Sequence, residues 1–146
     1  MEMYCNSSNS SFCCPVPCSQ NPFETSGTLI GIKRCLPIRT ECQDSDGPPV
    51  PDLLYTAPPG TPIETLASGI ISIINTSSTT SDCTMTLSIT DDTGTNTYDI
   101  NAQSSQVIQV TNVTAITIVC TSDTPPDPAV YCTATVEIDF QYTTGV

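Results

Sequence analysis

The C-terminal segment of the sequence alternates apolar and polar residues with little interruption. The apolar series is Cys132, Ala134, Val136, Ile138, Phe140 and Tyr142, and the intervening residues are Thr133, Thr135, Glu137, Asp139 and Gln141. Successive side chains of a β-strand point to opposite faces of its sheet. This two-residue period therefore predicts a strand with one face in a core and the other in solvent.

The rest of the sequence favours further short strands. Its 13 Pro and 7 Gly interrupt helices and favour turns, and DDTGTN at 91–96 predicts a hairpin loop with Gly94 at positive φ. Eight segments have strand character, at 28–38, 50–56, 68–76, 83–91, 95–101, 104–111, 114–121 and 130–143. They predict an all-β domain of two packed antiparallel sheets, either a jelly roll or an immunoglobulin-like sandwich.

Residues 1–26 differ in composition from the rest and predict a flexible, extended arm. This segment is rich in Ser and Asn, contains Pro15, Pro17 and Pro22, and carries the cysteines Cys5, Cys13, Cys14 and Cys18. Proline favours polyproline-type extension, so the stretch from Cys14 to Thr28 can reach about 40 Å. We expect a connector arm at 1–26 and one domain at 27–146, with a Pro-rich insertion at 43–62.

The charge balance excludes several classes of partner. Lys and Arg number 3 against 15 Asp and Glu, which gives a formal net charge of −12. So few cations cannot neutralise a nucleic-acid backbone or an anionic membrane surface. No apolar run is long enough to span a bilayer. The N-terminus lacks the basic and apolar regions of a secretion signal, although the cysteine content is typical of oxidising surroundings.

The sequence gives little support for catalysis or for a bound cofactor. It contains no His, which removes the usual base of a nucleophilic triad. Glu137 and Asp139 share the polar face of one strand and are better explained as solvated surface. No CxxC pair occurs, so no metal site is predicted. Calcium binding by acidic loops is left open; the candidate residues are Asp44, Asp46 and Asp52, or Asp91 and Asp92.

The nine cysteines are the candidate functional residues. Neighbouring cysteines rarely bond to each other, so Cys13 and Cys14 each need a separate partner. Cys35 has outward parity on its strand and is available to an incoming thiol. Cys132 begins the last strand, at a rim position but with apolar parity. The alternative is that every cysteine pairs within the chain or is buried as a small apolar residue.

Several of these features together resemble the endospore appendage (Ena) fibre subunits of spore-forming bacilli. They are the Cys13–Cys14 pair after a Ser/Asn-rich lead, Cys35 in the first strand, the ASG of residues 67–69, and the Tyr-Cys at 131–132. The resemblance implies an eight-stranded jelly roll in a structural, self-assembling subunit of a disulfide-cross-linked, pilus-like fibre. It also implies an extracellular location on the endospore surface, and no enzymatic activity.

The resemblance further implies roles for individual cysteines. Cys13 and Cys14 would be donors in the arm, and Cys35 and Cys132 would be acceptors in neighbouring subunits, with Cys13 meeting Cys132 and Cys14 meeting Cys35. Further disulfides would involve Cys5, Cys18, Cys42, Cys83 and Cys120. Partners would be other copies of the chain, joined through strand edges and disulfides, together with related subunits and a spore-surface anchor.

Two alternatives remain open from the sequence. The Pro-rich insertion and the extra cysteines depart from the family pattern and are compatible with a minor anchoring or tip subunit. The second alternative, from a different class, is a lectin-like β-sandwich binding module.

Overall fold

The computed structural model describes residues 29–124 and 129–144. The expectations for the arm, including Cys5, Cys13, Cys14 and Cys18, lie outside the described residues. The strands are β1 (Leu29–Glu41), β2 (Gln43–Asp44), β3 (Asp52–Thr56), β4 (Ala67–Asn75), β5 (Thr84–Asp91), β6 (Gly94–Ile100), β7 (Ser105–Ser122) and β8 (Tyr131–Thr143). One 3₁₀ turn, Ile63–Thr65, precedes β4. The predicted all-β fold is confirmed.

The strands form a continuous sheet in the order β1-β8-β4-β7-β5-β6, with β2 and β3 paired to β7. All pairings are antiparallel except that of β2 with β7. The first half of β7 pairs with β4 and the second half with β5. We call β1, β8, β4 and the first half of β7 layer A, and the second half of β7 with β2, β3, β5 and β6 layer B. The jelly-roll connectivity itself stays a prediction.

The two layers face each other across one hydrophobic core. The core includes Ile71, Val136 and Phe140 from layer A and Leu87 and Ile118 from layer B. The Tyr55 ring on β3 packs edge-on against Phe140 on β8, with 5.3 Å between the ring centroids. Because β3 and β8 are not neighbours in the sheet, this contact spans the space between the layers.

The strand β7 differs from expectation, since the sequence predicted two strands at 104–111 and 114–121. The structure has one strand of 18 residues, with Asn112 at φ 54°. Register shifts in both partners occur beside this residue, between Ala67 and Gly69 and between Thr90 and Asp91. Asn tolerates the left-handed conformation, and a bulge bends a strand without ending it. The pattern break therefore marks a change of layer within one strand.

The alternation in β8 is confirmed residue by residue. Cys132, Ala134, Val136, Ile138 and Phe140 are buried, whereas Glu137 and Asp139 are exposed. The predicted hairpin between β5 and β6 is also present, and Gly94 has φ 141°. The Pro-rich insertion contributes β2 and β3 to layer B, and β3 lies within the strand segment predicted at 50–56.

Gly69 marks the closest approach of β4 to β8. A side-chain Cβ at this position would collide with the backbone carbonyl oxygen of Asp139 and lie 3.0 Å from the Phe140 Cα. Only a residue without a side chain lets the two backbones pair at this register.

Candidate functional site

One disulfide joins the end of β1 to the start of β5. Cys42 follows β1, and its N–H donates to the Val130 carbonyl oxygen at 2.8 Å. Cys83 immediately precedes β5, 41 residues further along the chain, and the two Cα atoms are 6.0 Å apart. Because β1 is in layer A and β5 in layer B, this bond ties the layers together at one end of the domain.

A second disulfide ties the layers together beside the first. It joins Cys120, near the end of β7, to Cys132, at the start of β8, with 6.1 Å between the Cα atoms. Both side chains are buried, with exposed fractions of 0% and 1%. The strand β4 separates β7 from β8 in the sheet order, so this bond also crosses the core.

The two disulfides form one group of sulfur atoms. The Sγ atoms of Cys42, Cys83 and Cys120 all lie within 4.8 Å of one another, and Cys132 is bonded to Cys120. We call these four residues the cysteine cluster. Among residues 29–124 and 129–144 it is the only group of three or more Cys, His, Asp or Glu side chains close enough to hold a metal ion.

The cluster was not foreseen as a unit, because its members are far apart in sequence and no CxxC spacing marks them. A signal was nevertheless present. Cys83, Cys120 and Cys132 all share the apolar parity of their strands and lie close to a strand end. Strand ends of facing layers meet at the same edge of a sandwich. Cysteines that face the core from such strand ends are therefore expected to lie close together.

Cys35 has a different environment from the cluster. It lies opposite Glu137 in the β1–β8 register, whereas Cys132 lies opposite Thr40. Positions 132 and 137 have opposite parity, so Cys35 is on the outer face of layer A, about 17 Å along the strand from the cluster. Cys35 is also disulfide-bonded, although it is in neither of the two disulfides of the cluster.

The described cysteines therefore fall into three groups: the three that were candidates for further disulfides, the expected acceptor Cys132, and the expected acceptor Cys35. Cys42, Cys83 and Cys120, which were candidates for further disulfides, are bonded within the chain. Cys132 is bonded to Cys120 and buried, in contrast to the accessible rim position expected of an acceptor. In this arrangement an incoming thiol reaches Cys132 only by exchange with that disulfide. Its role as an acceptor, like that of Cys35, stays a prediction.

The outer face of layer A also carries exposed apolar side chains. Ile70 and Ile74 on β4 are 46% and 52% exposed, and Val107 on β7 is 71% exposed. Glu137 and Val107 both pair with Ser72, so Cys35, Glu137, Ser72 and Val107 form one row across this face. Solvent-facing apolar residues beside a cysteine are suited to contact with another chain.

The two ends of the strand order β1-β8-β4-β7-β5-β6 are edges of the sheet in the described part of the chain. Among the described residues, the 13-residue β1 pairs only with β8 and the seven-residue β6 pairs only with β5. Each edge presents backbone N–H and C=O groups that a strand of another copy can bond.

Among the described residues, no three acidic side chains lie close enough together to hold a metal ion. Glu137 and Asp139 face solvent, and Asp139 pairs with Lys33 at 3.9 Å. Asp91 accepts from the Thr93 hydroxyl at 2.6 Å and from the N–H groups of Thr93 and Gly94 at 2.7 and 3.1 Å. The hydroxyl bond, followed by the Thr93 N–H, lowers the pKa of Asp91. The Asp91 carboxylate therefore makes its hydrogen bonds within the β5–β6 turn.

A cleft of about 580 Å³ lies at the other end of the two layers. Its lining includes Arg34, Tyr55, Thr61 and Tyr142. Burial raises the pKa of Tyr55, and the nearby Arg34 guanidinium opposes that rise. Aromatic rings beside hydroxyl groups form a surface on which a sugar or proline ring can pack.

The fold and the cysteine arrangement define a disulfide-bonded, all-β domain of two facing layers. It is similar to a solved chain from Bacillus endospore appendages, which are described as a novel family of disulfide-linked pili. The two sequences are 14% identical, the TM-score is 0.53, and the alignment covers 87% of this chain and 100% of that chain. No protein-family model and no curated protein matches the sequence.

No helix in the described part of the chain is long and apolar enough to cross a membrane.

Proposed function

We propose that this chain is a structural subunit that assembles into a disulfide-cross-linked, pilus-like fibre on the endospore surface. The observation that carries the proposal is the similarity in fold to a chain of disulfide-linked endospore pili, over the whole length of that chain. The subunit performs no catalysis and needs no cofactor. Its partners are further copies of itself, related subunits and an anchor at the spore surface.

Non-covalent assembly proceeds through the sheet edges. The long edge β1 of one copy pairs with an edge strand of the next, which gives a head-to-tail contact that need not close into a ring. The exposed Ile70, Ile74 and Val107 add apolar contact area on the outer face of layer A. Repetition of this contact produces a filament.

The disulfides then make the filament resistant to dissociation. Cys13 and Cys14 in the arm are the donors, and Cys35 and Cys132 of neighbouring subunits are the acceptors. The position of Cys35 on the outer face, away from the cluster, supports this role. Because Cys35 and Cys132 are both disulfide-bonded in the single chain, a bond from either one to a neighbour's arm forms by disulfide exchange. A covalent tether makes reassociation intramolecular, so a broken contact re-forms at high effective concentration.

Negative-stain electron microscopy tests the proposal on the purified full-length chain, boiled in detergent with and without a thiol reductant. We expect filaments that survive detergent alone and dissociate when reductant is added. Dispersed particles in both samples would contradict the fibre and favour a lectin-like binding module. The cleft at Arg34, Tyr55 and Tyr142 is where such a module would bind its ligand.

Two variants separate the arm from the domain. Deletion of residues 1–18 should leave a folded domain that associates laterally but forms no detergent-resistant filaments. Cys35→Ser should retain the arm and weaken resistance in the same assay, while Ser72→Ala, in the same row of the outer face, serves as its matched control. A chain that forms no fibre alone, but joins fibres of a related subunit, would be a minor anchoring or tip subunit.

A further inference from the structure

The cysteine cluster offers more chemistry than two disulfides. We propose that, in the reduced chain, Cys42, Cys83, Cys120 and Cys132 bind one Zn²⁺ ion as a tetrathiolate site. Nothing in this proposal depends on fibre formation. The same four sulfur atoms then serve two states of the domain, zinc-bound in a reducing compartment and disulfide-bonded in an oxidising one.

Three of the four sulfur positions already fit the size of such a site. Zinc–sulfur bonds are about 2.3 Å long, so the sulfur atoms of a tetrahedral site lie about 3.8 Å apart. Three Sγ atoms of the cluster already lie within 4.8 Å of one another, and the fourth is bonded to one of them. Opening the two S–S bonds allows side-chain rotations that bring all four to tetrahedral spacing.

The backbone holds these positions independently of the disulfides. Cys120 pairs with Met85 in the β5–β7 register, and Cys132 pairs with Thr40 in the β1–β8 register. The Cys42 N–H is bonded to the Val130 carbonyl oxygen. Three of the four ligands therefore remain in place when the disulfides are reduced, and Cys83 remains adjacent to the paired Thr84.

The surroundings favour a closed, structural zinc site. Cys42, Cys120 and Cys132 are at most 5% exposed, which leaves little room for a water ligand. Four thiolates form a soft donor set that selects zinc over calcium or magnesium. Closed tetrathiolate sites stabilise folds and do not activate water.

The chemical change balances with one external reductant or oxidant. A phosphine supplies two electrons to each disulfide and becomes the phosphine oxide, while one water supplies the oxide's oxygen and two protons, so the two disulfides give four thiols. Binding of Zn²⁺ displaces these four protons to solvent and leaves a site of net charge −2. A small-molecule disulfide reverses the sequence: each protein S–S bond that forms reduces one oxidant molecule to two thiols and removes two thiolate ligands, which releases the Zn²⁺.

The decisive experiment uses a chain in which only the cluster cysteines remain, made by replacing Cys5, Cys13, Cys14, Cys18 and Cys35 with Ser. The protein is reduced with a phosphine, freed of reductant under anaerobic conditions, and titrated with Co²⁺ and then Zn²⁺. We expect one equivalent of metal per chain, the visible spectrum of tetrahedral Co²⁺–thiolate, and displacement of Co²⁺ by Zn²⁺. Binding of less than about 0.2 equivalents, or an octahedral Co²⁺ spectrum, would overturn the proposal.

A matched ligand variant assigns the binding to the cluster. Cys83→Ser in the same background removes one thiolate from the more exposed side of the cluster, and it should weaken zinc binding at least about 100-fold. Ser81→Ala, in the same loop, should leave binding unchanged. Equal zinc affinity in the Cys83→Ser chain and its parent would refute the site. Because the parent chain keeps all four proposed ligands, its titration decides the question even if the Ser variant does not fold.

Discussion

The two faces of layer A each carry a cysteine, one in the core and one on the outer surface. The inner face presents Cys132, which is buried and bonded to Cys120 across the core. The outer face presents Cys35, on the strand paired with β8, in a row with the solvent-facing Glu137 and Val107. The difference between them is one of parity, because residues one position apart on a strand point to opposite sides. Parity therefore decides whether a cysteine lies in the core of the domain or on its outer face.

The strongest test of this comparison removes whole disulfides. Replacing Cys42 and Cys83 by Ala should lower the free energy of unfolding by about 4 kcal/mol, and replacing Cys120 and Cys132 by about 3 kcal/mol, since the longer loop restricts the unfolded chain more. Urea unfolding measures both. Cys35→Ala also breaks a disulfide, but it leaves no cavity in the core, so it should lower the free energy of unfolding by less than either of these double replacements. A larger loss from Cys35→Ala than from either pair would reverse the assignment of the two faces.

The strand β4 shows the same contrast between a buried inner face and an exposed outer face, here with isoleucines instead of cysteines. Ile71 is fully buried and Ile70, its neighbour, is 46% exposed. Ile71→Ala should destabilise the domain by about 3 kcal/mol through lost apolar burial and the resulting cavity. Ile70→Ala is the control, with an expected change within about 0.5 kcal/mol in the same unfolding experiment. Comparable losses at both positions would mean that the outer face is covered within the single chain.

Gly69 tests how closely the strands of layer A are paired. Gly69→Ala should cost about 1–3 kcal/mol, because the added Cβ collides with the backbone carbonyl of Asp139 rather than with a movable side chain. Gly31, on the other side of β8, is the matched control, since a Cβ there would meet only the Phe140 carbonyl oxygen at 3.9 Å. Gly31→Ala should be nearly neutral by thermal unfolding, and an equally neutral Gly69→Ala would argue against the observed β4–β8 register.

The sequence predicted the strands better than it predicted their connection in space. The period of β8 and the turn at Gly94 follow from local rules, since side-chain direction and backbone conformation depend on neighbouring residues. That β7 is a single strand does not follow from local rules, because the sequence around the bulge at Asn112 resembles a strand end. Only the pairing of β7 with β4 and β5 shows that the strand continues through it. The cluster was missed for the same reason, since Cys42 and Cys83 are brought together by the packing of two layers.

The smallest expected effect concerns the hairpin between β5 and β6, far from both groups of cysteines. Hydrogen bonds from Thr93 and Gly94 lower the pKa of Asp91 in the folded chain, so its contribution to stability is present above the unfolded pKa and is lost as pH falls through the folded pKa. Asp91→Asn should therefore lower the melting temperature by about 1–2 °C at pH 7, and this difference should shrink towards pH 3. Asp92→Asn, which also removes one negative charge but disturbs only a 3.4 Å contact with the Asn112 side chain, is the matched control for the change in net charge. A constant difference between wild type and Asp91→Asn from pH 7 to pH 3 would indicate that the carboxylate charge plays no part in the turn, and that only its shape matters there.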